Sequence, residues 1–551
     1  MPQPETCAIA APLCELGQQR WQTTILGLLG CAAVFFACVV LYTRHNSFPT
    51  VYHPDEFAKG RGIIGGGFKF TQPLLLTSTT GIVSWISGRH ATVQEAVVVG
   101  RWVSAIFAAL AIVLLAMAAA WQYGRWAGMA VAIALMSSHR LLVWAHYMKE
   151  DTALLLGLAV FLLTATLYWH RPTPRNLLIL GMSCGLSIAG KYIGVLTIPL
   201  AWYVARAAER RDGVPSRAES RRRLWLFLAG CAGFLLIVQL PALRHPLDFL
   251  DDVFYEIRHP LTGHRGLSQP ILWRSPFLRM YLFETPWWII VPAGLYVAAM
   301  LARWRSQDVP RRLAVLFFGA YALCLLCSSI AEPRHLLPVV ALSYFFAGLA
   351  IGGVAAVLPG GSVLRVPALA LTAAALLWPF ARYTRIYIEE FRQDTRAELL
   401  QWVRTKLGPD DAILAENYVG LPADESIQLG AFSEADRLKQ HVEVCRFVPK
   451  AGSMEALHAE GWKYVAVAEP NYERYFDPAI RPSKRERAEY EQRRQEYQRL
   501  FDEAVLVFEA KPAIPMHSNT SPVVRVYRLR RGRVTPPPPE ITAPTSRTTS
   551  R

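Results

Sequence analysis

Ten stretches of the chain are long and apolar enough to predict membrane-spanning helices, because a helix crosses a bilayer with about 20 mainly apolar residues. They lie at residues 22–43, 97–120, 127–145, 152–169, 177–204, 224–243, 286–303, 312–331, 336–358 and 364–381. His139 and Arg140 interrupt the third stretch, which is the weakest of the set. The first stretch is longer than the roughly 7–15 residues of a signal-peptide core, so we interpret it as a retained span.

The stretch 177–204 lies between two basic loops, so the chain must cross the membrane there an even number of times. As one helix it would reach only about 42 Å, whereas two full crossings need about 40 residues. We therefore predict two short helices that meet near Gly190-Lys191-Tyr192. A break at membrane depth needs protein or a wet cavity beside it, and a lysine placed there indicates a functional site. Counting this hairpin as two predicts an α-helical polytopic membrane protein with about 11 membrane helices.

Short basic loops predict the orientation of these spans, because such loops stay in the cytoplasm. The basic loops lie at residues 171–175, 206–223 and 303–312, and residues 1–20 are predicted to be cytoplasmic with them. The alternate loops are then predicted to face outward, and they lie at residues 44–95, 146–151, 244–285 and 332–335. This orientation suits the inner (plasma) membrane of a bacterial-type cell, and an endomembrane stays open.

Residues 383–530 follow the membrane domain (21–382) and are predicted to form a small extracytoplasmic α/β domain. Helical spacing of apolar residues predicts an amphipathic helix over 386–407, and a charged helix is predicted over 482–500. Short β-like runs lie at Ala412–Leu414, Tyr464–Val467, Val505–Phe508 and Val523–Tyr527. Residues 531–551 are rich in Pro, Ser and Thr, a composition that predicts a disordered tail.

Composition agrees with a membrane protein. Hydrophobic residues make up 53% of the 551 residues and charged residues only 18%, against about 25% charged in soluble domains. Disordered, collagenous and coiled-coil classes are excluded on the same grounds. The net charge of +16 is typical of cytoplasmic loops in such a protein, so it does not predict nucleic-acid binding.

Two acidic groups fall on the same predicted outward face. The first is Asp55-Glu56 in His53-Pro54-Asp55-Glu56, and the second is Lys149-Glu150-Asp151. A general base needs a carboxylate near the reacting hydroxyl, and a second group can position it or hold a cation. The alternative interpretation is structural, because acids at the start of a helix are favoured by its dipole. Their shared face favours one common site.

Cationic residues lie on that face as well: Lys191 in the broken hairpin, and Arg334 with His335 before a late span. Each alone could be a snorkelling or interfacial residue. Carboxylates together with Arg and Lys at one membrane face suit a substrate with a negative leaving group, such as a phosphate.

With these motifs the chain resembles the GT-C membrane glycosyltransferases, specifically the glycosyltransferase family 39 and protein mannosyltransferase-like group. The resemblance covers about residues 20–420. The residues that carry it are Asp55-Glu56, Lys149-Glu150-Asp151, Gly190-Lys191-Tyr192-Ile193-Gly194, Arg334-His335-Leu336-Leu337-Pro338 and Asp394-Thr395-Arg396.

The resemblance implies transfer of a sugar, with inversion, from a polyprenyl-phosphate donor to an outward acceptor hydroxyl on a lipid, glycan or protein. If the family's roles apply to the matching residues of this chain, Asp55 is the base and Glu56 positions the acceptor or Asp55. Glu150 and Asp151 then complete the acidic site. Lys191 and Arg334 then hold the lipid phosphate, with Lys149 and His335 nearby. Some members bind a divalent cation at such acids. No compelling ligand cluster is visible in this sequence, so metal dependence stays open.

Two other functions compete with this hypothesis. Ionisable residues in membrane segments also mark the paths of transporters and lipid flippases, although transporters commonly show two related halves and charges near mid-bilayer. A non-catalytic assembly protein would explain residues 383–530 but would leave the paired acids unexplained.

Overall fold

A computed structural model describes residues 27–49, 55–213, 216–263, 267–268, 271–330, 332–357, 362–478, 480–484, 486–513 and 521–530. The predicted cytoplasmic N-terminus (1–20), His53-Pro54 and the predicted tail (531–551) lie outside these residues.

Helices dominate the described chain as far as residue 406. In chain order they are α1 Gly27–Tyr42, α2 Asp55–Gly65, α3 Leu75–Ile86, α4 Val93–Tyr123, α5 Arg125–Met136, α6 His139–Ala145, α7 Asp151–His170, α8 Pro174–Gly190, α9 Thr197–Asp212, α10 Arg217–Val238, α11 Pro246–Thr262, α12 Pro276–Glu284, α13 Trp287–Ala302, α14 Val309–Leu326, α15 Leu337–Val357, α16 Ser362–Arg392 and α17 Thr395–Lys406.

Within the described ranges, five helical segments are long and apolar enough to cross a membrane, or up to seven if each of two bent pairs is one span. The bent pairs are α5 with α6, at 63°, and α12 with α13, at 110°. Helices α1 and α3 are apolar but shorter. The prediction of a mainly helical polytopic membrane protein is confirmed, and the number of 11 membrane helices stays a prediction.

The bend between α5 and α6 explains why the pattern of residues 127–145 was interrupted. Arg140 lies in α6, is buried, and forms an ion pair with Glu284 at the end of α12. An unpaired charge at this depth would cost several kcal/mol, so the pair makes the arginine tolerable. The ion pair therefore connects the two bent helix pairs to each other.

The predicted break in the stretch 177–204 is confirmed. Helix α8 ends at Gly190, Lys191 has extended backbone angles, and a 3₁₀ turn over Tyr192–Leu196 leads into α9. Gly190 packs directly on α7, because a Cβ there would lie 2.7 Å from the carbonyl carbon and oxygen of Ala153. The missing side chain lets the two helices approach closely and so fixes where Lys191 emerges.

The predicted single helix over 386–407 is wrong, and the predicted domain boundary at 382/383 falls inside a helix. Helix α16 continues to Arg392, and α17 begins at Thr395. Asp394 ends the run because its carboxylate accepts the Arg396 N–H as an N-cap and also binds the Arg396 guanidinium. Both side chains are buried, so this break is a fixed corner.

A five-stranded mixed sheet forms the C-terminal domain, which we define as residues 395–530. Its strand order is β3-β2-β4-β7-β6, with β2 parallel to β3 and β4, and β7 antiparallel to β4 and β6. The four predicted β-like runs are confirmed as strands, whereas β3 was not predicted. The elements are β2 Ala412–Glu416, α18 Asp424–Gln428, β3 His441–Cys445, α19 Val448–Ala451, α20 Met454–Ala459, β4 Tyr464–Ala468, α21 Glu469–Phe476, β5 Arg481–Pro482, α22 Arg487–Glu503, β6 Val505–Ala510 and β7 Val524–Arg528.

The C-terminal domain packs on the end of the helical bundle where α2 and α4 begin. The Gln94 N–H donates to the Leu429 carbonyl at 3.1 Å, and Arg61 forms an ion pair with Glu425 at 2.5 Å. A two-residue strand in the long loop of the membrane domain, β1 (Leu267–Ser268), pairs antiparallel with β5. These contacts place the loop after β2 beside the first turns of α2.

We predict that Gly157→Leu lowers the melting temperature of the detergent-purified protein by several degrees. A Cβ at Gly157 would lie 2.5 Å from the Ser187 Cα, so α7 and α8 would have to separate. The matched control is Gly233→Leu, since a Cβ at Gly233 in α10 meets no atom within 4 Å. Equal melting temperatures of the two variants would contradict the close packing of α7 on α8.

Candidate active site

The two acidic loops meet in space through Lys149. Asp55 begins α2 and Asp151 begins α7, so both carboxylates lie at helix N-termini, where negative charge is favoured. The Lys149 ammonium contacts the Asp55 carboxylate and lies 3.6 Å from Glu150 Oε2. Burial lowers the pKa of Lys149, but Asp55 and Glu150 outweigh it and the net pKa is raised. The lysine therefore stays charged and holds the two loops together.

Lys191 joins this cluster from the break between α8 and α9. Its Nζ lies 2.6 Å from Asp151 Oδ1. The second carboxylate oxygen, Oδ2, is buried and has no hydrogen-bond partner among the described residues. Asp151 therefore keeps acceptor capacity facing the cluster while its charge is balanced by Lys191.

Lys59, which the sequence analysis did not single out, neutralises Glu150. The Lys59 Nζ lies 2.6 Å from Glu150 Oε1 and donates to the Met148 carbonyl at 3.0 Å. Burial raises the pKa of Glu150, but Lys59 and Lys149 outweigh it and the net pKa is lowered. Lys59 lies four residues after Asp55 on α2, so both residues lie on the same side of the helix. This spacing was the sequence signal that could have identified Lys59.

Glu56 has a different environment from Asp55. Arg101 from α4 binds both Glu56 oxygens, at 3.0 and 2.8 Å, and both side chains are fully buried. Glu56 Oε1 also accepts the Met148 N–H at 3.0 Å. Glu56 thus fixes the first loop against α4 and against the second loop, and its carboxylate oxygens are occupied by Arg101 and by the Met148 N–H.

Asp55 is the exposed carboxylate among the four acids of the two loops. Its side chain is 45% exposed, against 0% for Glu56, 1% for Glu150 and 2% for Asp151. An incoming hydroxyl can therefore reach Asp55 directly, while the other three acids are enclosed in ion pairs.

Arg334 and His335 lie in the 3₁₀ turn that leads into α15. Arg334 Nη1 is 3.4 Å from Glu332 Oε2, and the charges of Asp55 and Asp151 also act on this guanidinium. The carbonyl of His335 accepts a hydrogen bond from Tyr321 Oη at 3.0 Å, which anchors the turn on α14. All eight residues predicted for the site thus lie at one end of the bundle.

The C-terminal domain adds a side chain that the sequence analysis missed. Tyr418, just after β2, is affected by the charges of Asp55 and Glu332, and burial raises the pKa of this phenol to about 12. The phenol therefore stays neutral.

Among the residues that the structure describes, no group of three or more His, Cys, Asp and Glu side chains is arranged to hold a metal ion. The donor set explains this result, because each enclosed acid already faces a cation: Arg101, Lys59 or Lys191. The described acids are therefore paired in a way that does not fit a divalent cation, and the chemistry below uses none.

We predict that Arg101→Met destabilises the protein by about 3–5 kcal/mol, because it leaves the Glu56 charge buried and unpaired. Arg61→Met is the matched control, since its ion pair with Glu425 is exposed and such pairs contribute about 0–1 kcal/mol. Thermal melts of the purified variants measure the difference. A melting temperature of Arg101→Met equal to that of Arg61→Met would contradict the structural role of this pair.

A family model described as dolichyl-phosphate-mannose-protein mannosyltransferase matches residues 82–239. This segment contains Lys149, Glu150, Asp151 and Lys191, while Asp55 and Arg334 lie outside it. No curated protein matches the chain.

The solved structures that match this chain include the following three. ArnT from Cupriavidus metallidurans bound to undecaprenyl phosphate has a TM-score of 0.51 and 15% identity, covering 92% of this chain and 98% of its own. The apo oligosaccharyltransferase of Archaeoglobus fulgidus has a TM-score of 0.47 and 13% identity, covering 81% and 70%. The Pmt1-Pmt2 protein O-mannosyltransferase complex of S. cerevisiae has a TM-score of 0.34 and 16% identity, covering 40% and 34%.

The resemblance inferred from the acidic and cationic motifs is confirmed by the family match and by the architecture shared with ArnT. The chain has the fold of the membrane glycosyltransferase ArnT, and its residues 82–239 are similar to the mannosyltransferase family.

Proposed function

We propose that this protein transfers a sugar from a polyprenyl-phosphate donor to an acceptor hydroxyl, with Asp55 as the general base. The observation that carries the proposal is the contrast in exposure between Asp55, at 45%, and the enclosed acids beside it. The undecaprenyl phosphate bound by ArnT supports a lipid phosphate as the donor's carrier. Protein, glycan and lipid acceptors are all compatible with an exposed base.

In the proposed reaction the acceptor hydroxyl oxygen attacks the anomeric carbon on the face opposite the phosphate. The hydroxyl proton passes to Asp55, and the bond between the anomeric carbon and the phosphate oxygen breaks. The polyprenyl phosphate leaves with that electron pair, and a single displacement inverts the anomeric centre. Lys191 and Arg334 stabilise the developing negative charge, which is the largest electrostatic demand of such a step.

Each lysine in the cluster also has a role in the resting enzyme. Lys149 keeps Asp55 in place, and Lys191 balances Asp151 until a phosphate arrives. A phosphate can then share Lys191 with Asp151, whose unpartnered Oδ2 can accept a hydrogen bond from the substrate. A cationic pocket with fixed donors needs little reorganisation when charge develops.

We further propose that this site faces the extracytoplasmic side of the inner membrane. The basic loops gather at the opposite end of the bundle, where Arg311 donates to the Gln122 carbonyl at 2.8 Å and Arg312 donates to Tyr203 Oη at 2.8 Å. Loops rich in Arg stay in the cytoplasm. Donor and acceptor would therefore meet outside the cell, on the side of the C-terminal domain.

We predict that Asp55→Asn lowers kcat by about 10²–10⁴-fold, because the amide cannot accept the acceptor's proton. The donor KM should stay within about threefold, since Asp55 does not hold the phosphate. Transfer of radiolabelled sugar from a polyprenyl-phosphate donor measures both constants. Asp248→Asn, at an exposed position of α11, is the control and should keep full activity.

Full transfer by Asp55→Asn would remove Asp55 as the base. Transport of the lipid-linked sugar across proteoliposomes by the wild type, with no transfer product, would favour the transporter alternative instead.

We predict that Arg334→Gln raises the donor KM by about tenfold, because a hydrogen bond to a charged group contributes about 1.5–3 kcal/mol. Its partner Glu332 is 46% exposed, so this substitution leaves no enclosed charge and the melting temperature should be unchanged. Arg61→Gln, a cation at the same end of the bundle, is the control. An unchanged donor KM in Arg334→Gln would place the phosphate elsewhere.

A further inference from the structure

Helix α11 has two faces of opposite character. Its apolar side chains recur every three or four residues on one stripe, and each is 48–74% exposed: Leu247, Leu250, Phe254, Ile257 and Leu261. An amphipathic helix of this kind is typical of the surface of a membrane, with the apolar stripe in the lipid. The opposite stripe must then face the protein.

That opposite stripe carries Asp252, Glu256 and His259, spaced four and three residues apart. All three project on the side of the helix opposite the apolar stripe, because four and three residues are close to one helical turn. Sequence reasoning had placed this helix in an outward loop without assigning it a role.

Two anchors hold this stripe against the site. At one end Asp252 Oδ2 accepts the Phe70 N–H at 2.7 Å, and the Phe70 carbonyl accepts the hydroxyl of Tyr192, next to Lys191, at 2.7 Å. At the other end the Pro260 carbonyl accepts the Ser329 N–H at 2.7 Å, on the loop that leads to Arg334. Glu256 lies one helical turn from each anchor, and the charges of Lys191 and Lys149 act on it.

The electrostatic surroundings agree with that position. Burial raises the pKa of Glu256 to about 7; Lys191 and Lys149 lower it, while Glu150 and Asp55 raise it. His259 on the same stripe is affected by the charges of Arg334 and Glu332. The groups that face Glu256 are Lys191 and Tyr192 after α8, Lys149 and Glu150 before α7, Asp55 on α2, and Asp252 and His259 on α11 itself.

We propose that Glu256 is a donor-binding residue whose protonated carboxyl donates a hydrogen bond to the phosphate of the lipid-linked sugar. Helix α11 then forms the membrane-side wall of the donor pocket, with its apolar stripe beside the lipid chain. The inference rests on the proposed function, because it needs a lipid phosphate between Lys191 and Arg334. A carboxylic acid can donate to a phosphate oxygen, whereas a carboxylate at the same position repels it.

The sign of the pH dependence follows from this protonation state. Below about pH 7 Glu256 is mainly neutral and the hydrogen bond forms. As the pH rises through that value the carboxyl ionises, and the lipid phosphate binds more weakly. Glutamine keeps an N–H donor but does not ionise, so Glu256→Gln should bind the lipid almost equally at both pH values.

The test measures the Kd of undecaprenyl phosphate for the full-length protein in lipid nanodiscs at pH 6.0 and pH 8.5. The lipid phosphate titrates in the same way in both measurements. Its own pH dependence therefore cancels in the ratio of the wild-type Kd to the Kd of Glu256→Gln. We expect a ratio near one at pH 6.0 and about tenfold at pH 8.5, where the ionised carboxylate repels the phosphate; a tenfold change corresponds to about 1.4 kcal/mol.

Asp251→Asn is the matched control, because Asp251 is exposed on the same helix outside the polar stripe. Its Kd should equal the wild-type Kd at both pH values. A ratio for Glu256→Gln that is the same at both pH values would overturn the proposal. The measurement is of binding, so it does not depend on which residue is the base. If Asp55 were not the base, this ratio would be unchanged. If neither the wild type nor any of the variants bound the lipid, the proposed function itself would be refuted.

Discussion

A buried charge at the end of a membrane bundle must be paired, and this constraint shapes the site. Glu56 faces Arg101, Glu150 faces Lys59, and Asp151 faces Lys191, each in a separate ion pair. Removing one partner of such a pair costs several kcal/mol, so the pairs hold the loops in register. Asp55 is left at the edge of this network, held by Lys149 yet open to solvent. We propose Asp55 as the base because the other three acids are enclosed in ion pairs.

Much of the site could be predicted from the sequence because membrane topology brings alternate loops to one face. Asp55, Asp151, Lys191 and Arg334 are far apart in the chain, yet each follows or precedes a predicted span on that face. The partners of the acids could not be predicted in the same way. Arg101 lies within an apolar span and Lys59 within a loop helix, so only their three-dimensional packing shows which acid each one neutralises. Glu256 was not singled out from the sequence, because its stripe of α11 is positioned by distant contacts, of Asp252 with Phe70 and of Pro260 with Ser329.

In the fold as well, features set by nearby residues could be predicted from the sequence, and features set by contacts between distant residues could not. The break at Lys191 was predictable, since the length of one stretch could not satisfy two basic loops. The break at Asp394 was missed because the helical periodicity continues across it, while a capping carboxylate ends the helix. The β1–β5 pairing was also out of reach, as two residues of the membrane domain pair with a segment more than 200 residues later. Strand β3, His441–Cys445, does alternate polar and apolar residues, so the sequence carried a signal for this strand that was not used.

Helix α2 connects Asp55 to the C-terminal domain over a short distance. Asp55 is its first residue, and Arg61, which forms an exposed ion pair with Glu425, lies six residues later on this 11-residue helix. Because that pair is exposed, it contributes little free energy to the docking of the C-terminal domain. The buried pair of Glu56 and Arg101, next to Asp55, therefore keeps the start of α2 attached to the membrane domain even where the outer contact opens.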